Sequence, residues 1–492
     1  MTSFGNFLKS VRVEPPAPPG AQWGSIFFSL SVLSFLISLA AAQAFLAMAA
    51  VFQVVAVFRF RQTADRKVRS VLRDWTGVSF PPVKLPLGLF CLFTLISVSG
   101  AENPAVGWLV VRKLMLFAIL LLGVNLVVSA KHLTVLYKGL FVESAVAGLV
   151  SVLQFLTLYR RARALHPHQV YLYMSVERVH GFVGHWMNFG GQQMLVFAAL
   201  LAFLLLAQTT RDSGVGIWGS WFGRRHSSRA GAVPPVPSER VPGRGSAPGS
   251  SESRTRPESR LFWWLLLAMV TLSLVLNFTR GVWLGCFAAT IYLVACWRPR
   301  WLWALPILIV VVLLLSPKLI RQRLQSLREP SLDPSVAIRF EMWQVGLRMI
   351  RKHPWVGVGP NNIPEVYALY LPPGKAPQVG YRDHLHNNFI QLGAERGLLC
   401  LAAWIWFMAA LGWHFLKIRR RRTGLGWVVD AAAAGWLAML IEGCFEFNFG
   451  ASPVLMLFLF VVTVPFVAEE VASRAVDSRN SVIDRGELDV EF

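Results

Sequence analysis

The chain has 492 residues, of which 55% are hydrophobic and only 15% charged. That balance excludes an ordinary soluble domain, which needs more charge to cover its surface. The formal charge of +22 would suggest nucleic acid in a soluble protein. Here the basic residues cluster beside apolar runs, where membrane orientation and anionic headgroups account for them, and no nucleic-acid partner is expected.

Taken in chain order, the apolar runs fall at 24–40, 43–59, 84–99, 107–129, 134–158, 189–207, 261–278, 281–297, 301–316, 397–416, 426–445 and 450–468. A helix of about 20 residues crosses a bilayer. Lipid satisfies no backbone group, so long apolar runs must bond internally as helices. The expected fold is all-α and integral to the membrane, with about 12 transmembrane helices. Many of the 19 tryptophans stand at the ends of these runs, as an interfacial belt requires. After the first run, Ala42-Gln43-Ala44 resembles a signal-peptidase site. Hydrophobicity resumes at once from Phe45 to Phe58, so an uncleaved hairpin of two spans is expected.

The positive-inside rule puts the N-terminus in the cytoplasm. Arg59, Arg61, Arg66, Lys67, Arg69, Arg73, Arg298, Arg300 and the run Lys417 to Arg422 then lie inside, and the connection holding Glu102 lies outside. Arg160, Arg161, Arg163 and Arg178 break the pattern by facing outward. Headgroups explain the first three, but an anionic ligand is the better reason for Arg178. Residues 1–221 carry spans 1–6. Residues 222–259, rich in Ser, Pro, Gly and Arg, read as a disordered cytoplasmic linker. Spans 7–9 fill 260–316, a long outer segment fills 317–396, spans 10–12 fill 397–468, and 469–492 form a cytoplasmic tail.

Within the outer segment, Asp333 and Pro334 read as an N-cap and first helical residue, and Pro354 stops the helix. Val336, Phe340, Trp343, Leu347 and Ile350 recur at helical spacing, with Arg339, Arg348 and Arg351 between them. Such an amphipathic helix would lie on the membrane surface. A tight turn at 357–362, a short helix and a Pro/Gly loop at 371–380 follow.

The densest polar constellation is 384–397, read as the first turns of the next span. His386, Ile390, Gly393 and Gly397 then share one face, where the glycines admit another helix closely. His384, Asn388, Gln391 and Glu395 form a polar stripe nearly opposite. A Glu at that depth is costly unless it is paired or lines a wet cavity. The same residues would also serve merely as interface anchors. Arg280 stands in a short break between two apolar runs, where it would either snorkel to headgroups or hold a phosphate bidentately. The segment from Arg178 to Asn188, with His180, Gly181, Gly184 and His185, is dense in the groups an anion needs. The five cysteines (Cys91, Cys286, Cys296, Cys400 and Cys444) lie in or beside apolar runs without metal-ligand spacing. They read as packing residues, and no disulfide framework, metal or cofactor is expected.

Three blocks in order resemble the O-antigen ligase and O-antigen polymerase superfamily of bacterial envelope proteins. Thr279-Arg280-Gly281-Val282-Trp283 is similar to the family's Ser-Arg-Gly-x-Trp. Arg339, Trp343 and the stretch from His353 to Pro360 form the second block. His386-Asn387, Ile390 and Gly397 keep the spacing of the ligase signature, with Asn387 in place of Ser or Thr and Ile390 in place of Leu. The segment 178–188 is similar to the family's Arg-x-x-Gly loop. The resemblance covers about 170 to 465. It implies a GT-C-like membrane glycosyltransferase with a large periplasmic loop between spans 9 and 10, in the bacterial inner membrane. It would be metal-independent and inverting, and take a glycan from undecaprenyl pyrophosphate. The acceptor would be lipid A-core (ligase), another glycan (polymerase) or a protein hydroxyl, and the His386 to Gly397 spacing favours ligase.

On this reading His386 is general base, and Arg280 and Arg178 hold the pyrophosphate. His384, Asn387, Asn388, Glu395, Arg339 and His185 contact substrate, with Glu395 as the reserve base. The 335–351 helix and the 357–380 loop would cover a lateral opening for the polyprenyl chain. The competing readings are a transporter or flippase, which predicts broken helices near the membrane midplane, and a scaffold without ligand.

Overall fold

The computed structural model describes residues 21–63, 79–207, 260–307, 310, 321–322, 334–375, 383–421 and 425–488. The 222–259 linker, half of the 301–316 run, and parts of the 317–396 segment and of the tail lie outside the described residues. The elements in chain order are α1 (Ala21–Val32), α2 (Leu39–Thr63), α3 (Lys84–Ser99), α4 (Pro104–Val111), a 3-10 turn (Arg112–Phe117) and α5 (Ala118–Leu126). They continue with α6 (Ala130–Leu165), α7 (Val170–Val176), α8 (Trp186–Leu206), α9 (Arg260–Leu276), α10 (Arg280–Trp297) and α11 (Pro334–Lys352). The last are α12 (Ile363–Val366), α13 (Asn388–Arg420), α14 (Gly426–Glu442) and α15 (Ser452–Leu488). No strand occurs among the described residues.

Seven stretches in the described residues are long and apolar enough to cross a membrane: Leu39–Arg59, Pro104–Leu126, Ala130–Leu165, Trp186–Leu206, Arg280–Trp297, Asn388–Arg420 and Ser452–Ser473. Lys84–Ser99 and Arg260–Leu276 are shorter apolar helices. This is a multi-pass, all-helical plan, but seven such stretches are fewer than the twelve expected. The first apolar run shows one reason. It forms the 12-residue α1 and a turn, and 12 residues at about 1.5 Å each reach well short of a ~30 Å hydrocarbon core. The Ala42-Gln43-Ala44 stretch lies inside α2. The 107–129 run, by contrast, remains a candidate span (Pro104–Leu126) although a 3-10 turn interrupts its α-helix.

The apolar segments α8 and Ser452–Ser473 form the centre of the bundle, each with 83% of its most apolar window buried. Small residues make this approach close. A Cβ at Gly285 of α10 would lie 3.0 Å from the Ala438 carbonyl oxygen of α14, and one at Gly191 of α8 would lie 3.0 Å from Val454 of α15.

The helix α11 starts at Pro334 and ends before Pro354, as the sequence predicts. Its apolar residues divide differently from the expected single face. Met342, Val345 and Met349 bury against Ile363, Tyr367, Tyr370, Leu385 and Ala394. Phe340 and Leu347 stay exposed, at 55% and 54%. The helix therefore docks on the protein by one stripe and shows another outward, where a membrane surface would meet it.

The helix α13 is broken at Gly397, whose φ is 80 and ψ 170. The loop after α11 repairs the lost backbone bonds. Leu398 N donates to Pro354 O at 2.7 Å, Val358 N to Ala394 O at 2.9 Å, and Gly359 N to Glu395 O at 2.9 Å. Irregular backbone of this kind is tolerated in a membrane protein where other protein encloses it. A Cβ at Gly397 would sit 2.1 Å from Trp355 O. Gly393 admits another helix as expected, through Ile350 of α11, whereas Gly397 meets the backbone of the Trp355–Val356 turn and not a helix.

Candidate active site

The helix α13 begins at Asn388, with Asn387 as N-cap. Asn387 Oδ1 accepts from Phe389 N at 2.9 Å and Ile390 N at 3.0 Å. Asn and Ser or Thr are all good N-caps, which makes Asn387 a conservative substitute at that position of the ligase signature. His386 precedes the cap with φ 47, in the left-handed region. His386 is therefore not on the helical face expected for it. The imidazoles of His384 and His386, placed far apart by helical reasoning, lie with centroids 4.2 Å apart.

The centre of the cluster is a residue the sequence reading did not single out. His386 Nδ1 lies 2.6 Å from Glu446 Oε2, and Arg339 Nη2 donates to Glu446 Oε1. Glu446 is 1% exposed. Burial pushes its carboxyl upward, but Arg339 and His386 outweigh burial and hold it down at about 2. The carboxylate is thus an acceptor only, so His386 Nδ1 is the donor in this contact. His384 is pushed down to about 3, by burial first and then by the charge of His386, which keeps it neutral at pH 7. His185 is lowered mainly by burial, with Glu446 opposing and Arg178, His386 and His180 adding to the shift. His185 thus lies within electrostatic reach of Glu446, Arg178, His386 and His180.

Glu446 lies on a turn between α14 and α15 that is held in place through asparagines. Asn388 N donates to Gly443 O at 2.7 Å, Asn387 Nδ2 to Cys444 O at 2.8 Å, and Asn388 Nδ2 to Asn448 Oδ1 at 2.6 Å. Asn448 in turn donates to buried Glu442. Asn387 and Asn388, expected to contact substrate, thus tie α13 to the turn that carries Glu446.

Arg178 donates through Nε to Ser175 O at 2.7 Å, and its guanidinium lies 3.9 Å from the Trp186 ring centroid. Its loop is pinned on two sides. Gln154 accepts from His180 N and Gly181 N, and Asn277 Nδ2 donates to Val179 O and Trp186 O at 3.0 Å each. His185 Nδ1 accepts from Met187 N at 3.3 Å at the start of α8.

Asn277 also brings this loop to the start of α10, where Arg280 is the first helical residue. Arg280 is 7% exposed, so it does not snorkel. A Cβ at the next residue, Gly281, would lie 3.4 Å from Phe445 and 3.5 Å from Glu442. The Glu446 turn therefore backs the start of α10 on one side and the His384–His386 loop on the other.

Glu395 does not belong to this group. It accepts from Asn361 N at 2.9 Å and Gln391 Nε2 at 2.8 Å, and Arg396 and Lys113 are its charged neighbours. A reserve base acting through His384 has no such contact to work through. The signal for Glu446 was present in the sequence. Glu446 is a carboxylate in the short break between the last two apolar runs.

Two comparisons bear on this site. Residues 264–405 match a family model described as O-antigen ligase, a stretch that includes Arg280, Arg339, His384 and His386 but not Arg178, His185 or Glu446. No curated protein matches the chain.

Proposed function

Because residues 264–405 match a family model described as O-antigen ligase, we propose that this chain is an inverting membrane glycosyltransferase. It moves a glycan from undecaprenyl pyrophosphate to lipid A-core on the periplasmic side of the inner membrane. The observation that carries the reading is the His386–Glu446 pair, a base with an ionised carboxylate on its far nitrogen.

In this mechanism His386 Nε2 takes the proton from the acceptor hydroxyl as its oxygen attacks the anomeric carbon. Glu446 fixes the tautomer and steadies the imidazolium that forms, the role a carboxylate plays in serine-hydrolase triads. The bond from anomeric carbon to phosphate oxygen breaks, and its electron pair leaves with undecaprenyl pyrophosphate. Arg280 and Arg178 hold that leaving group and balance the charge that grows on it. His384, neutral and in contact with His386, orients the base without competing for the proton. Arg339 keeps Glu446 ionised. The outward stripe of Phe340 and Leu347 on α11 borders the opening through which the polyprenyl chain reaches the site.

Ligase and polymerase differ in their acceptor. Purified protein reconstituted with a lipid-linked glycan should make a single transfer onto added lipid A-core. Lengthening of the lipid-linked chain without lipid A-core would make it a polymerase. Transfer only to serine or threonine of a protein would place it in the protein-glycosylating branch.

A further inference from the structure

The 443–450 turn has a second side. Phe447, Phe449 and Gly450 face a cavity of about 40 Å3 whose polar wall is Lys113, Glu395, Arg396 and Asn361. A buried water needs roughly 10–15 Å3 by this measure, so the cavity has room for about three waters or one small oxyanion.

Its charges do not balance. Glu395 is the one carboxylate in the wall, and Asn361 N and Gln391 already donate to it. Two cations face it. Lys113 donates to Gly450 O at 2.8 Å. Arg396 is 6% exposed and reaches Thr94 Oγ1 through Nη1 at 3.3 Å. Its Nε, 3.9 Å from Glu395 Oε2, has no hydrogen-bond partner. A buried guanidinium with an unmet donor is costly and calls for an acceptor. Phe90 and Phe117 close the cavity on the apolar side, where low polarity strengthens any ion held there. Phe447 is the shared wall, since its ring also lies 6.5 Å from that of His384.

We infer that this cavity is a second anion-binding site, taking a small oxyanion substituent of a glycan, with Lys113 and Arg396 as its two donors. That the oxyanion belongs to a glycan rests on the transferase reading; the anion site itself does not. Phosphoryl and carboxylate groups share the required chemistry, and the test separates them.

The experiment is calorimetric titration of the purified full-length protein with inorganic phosphate and, separately, with acetate. An Arg178→Gln background removes one guanidinium of the neighbouring cluster. Lys113→Met and Arg396→Gln should each weaken binding about ten-fold or more. Glu395→Gln removes the competing charge, keeps an oxygen for Asn361 N, and should tighten binding. Preference for phosphate assigns a phosphoryl group, and preference for acetate a carboxylate. Should Lys113→Met not fold, Lys113→Arg must retain binding while Arg396→Gln loses it. No binding of either anion, unchanged affinity in the cation variants, or weaker binding in Glu395→Gln would overturn the site. Absence of glycan transfer in the wild type would sink the transferase reading and leave these titrations standing.

Discussion

Glu446→Gln is the perturbation that separates an oriented base from a histidine that merely lies nearby. In the wild type, Arg339 and His386 hold the carboxyl at about 2 against an ordinary 4.5. That gap corresponds to about 3 kcal/mol in favour of the ionised form. An amide of the same shape abolishes this term. It can also turn its NH2 toward His386 Nδ1, which moves the proton to Nε2 and removes the lone pair that would accept the acceptor's proton. The equivalent change in a serine-protease triad lowers kcat by about 10⁴ through the wrong tautomer. Because the present site also has His384 beside the base, a fall of about 10³ to 10⁴ in kcat is expected, with KM for the lipid-linked glycan changed little. The assay is glycan transfer in proteoliposomes at matched protein content, read as the mobility shift of the acceptor. A kcat within ten-fold of wild type in Glu446→Gln would refute the orienting role.

Other outcomes follow from the same geometry. Arg280→Lys should lose most transfer although the charge is kept, because an ammonium cannot present the planar fork that matches two phosphate oxygens; full turnover would demote Arg280 to a structural residue. Gly397→Ala should cost at least about 1–3 kcal/mol from backbone strain alone, since φ there is 80 and a Cβ would meet Trp355 O; an unchanged thermal midpoint would contradict the loop-repaired break. His384 is depressed from 6.5 to about 3, so it contributes stability above pH 6.5 that is lost progressively as pH falls toward 3, where the unfolded chain takes up the proton first. His384→Asn should flatten the acid side of the thermal-stability profile in that window, and an unaltered profile would argue against a buried neutral imidazole.

Much of this was legible in the sequence, for local reasons. Pro334 and Pro354 bound α11 because proline fits a first turn and blocks continuation. Arg178, Arg280 and His386 stand at breaks between apolar runs, which already placed them at one end of the bundle. The misreadings came from competition that the pattern alone does not resolve. His384 to Asn387 look helical by spacing, but the Asn387 cap and the positive φ of His386 start the helix later. Met342, Val345 and Met349 recur at helical spacing just as Phe340, Trp343 and Leu347 do, and only tertiary packing shows which stripe meets the protein. Glu446 acquires its importance from Arg339 and His386, 107 and 60 residues away, a relation no local signal encodes. Among the described residues, hydropathy counts a span where α1 and its turn place apolar residues in a helix too short to cross a membrane.

The most direct measurement is single-turnover transfer from a lipid-linked glycan to lipid A-core in proteoliposomes, comparing wild type with His386→Ala at equal insertion. Wild type should transfer and His386→Ala should show none above background, with both proteins inserted and equally stable. Transfer by His386→Ala at the wild-type rate would contradict His386 as the base.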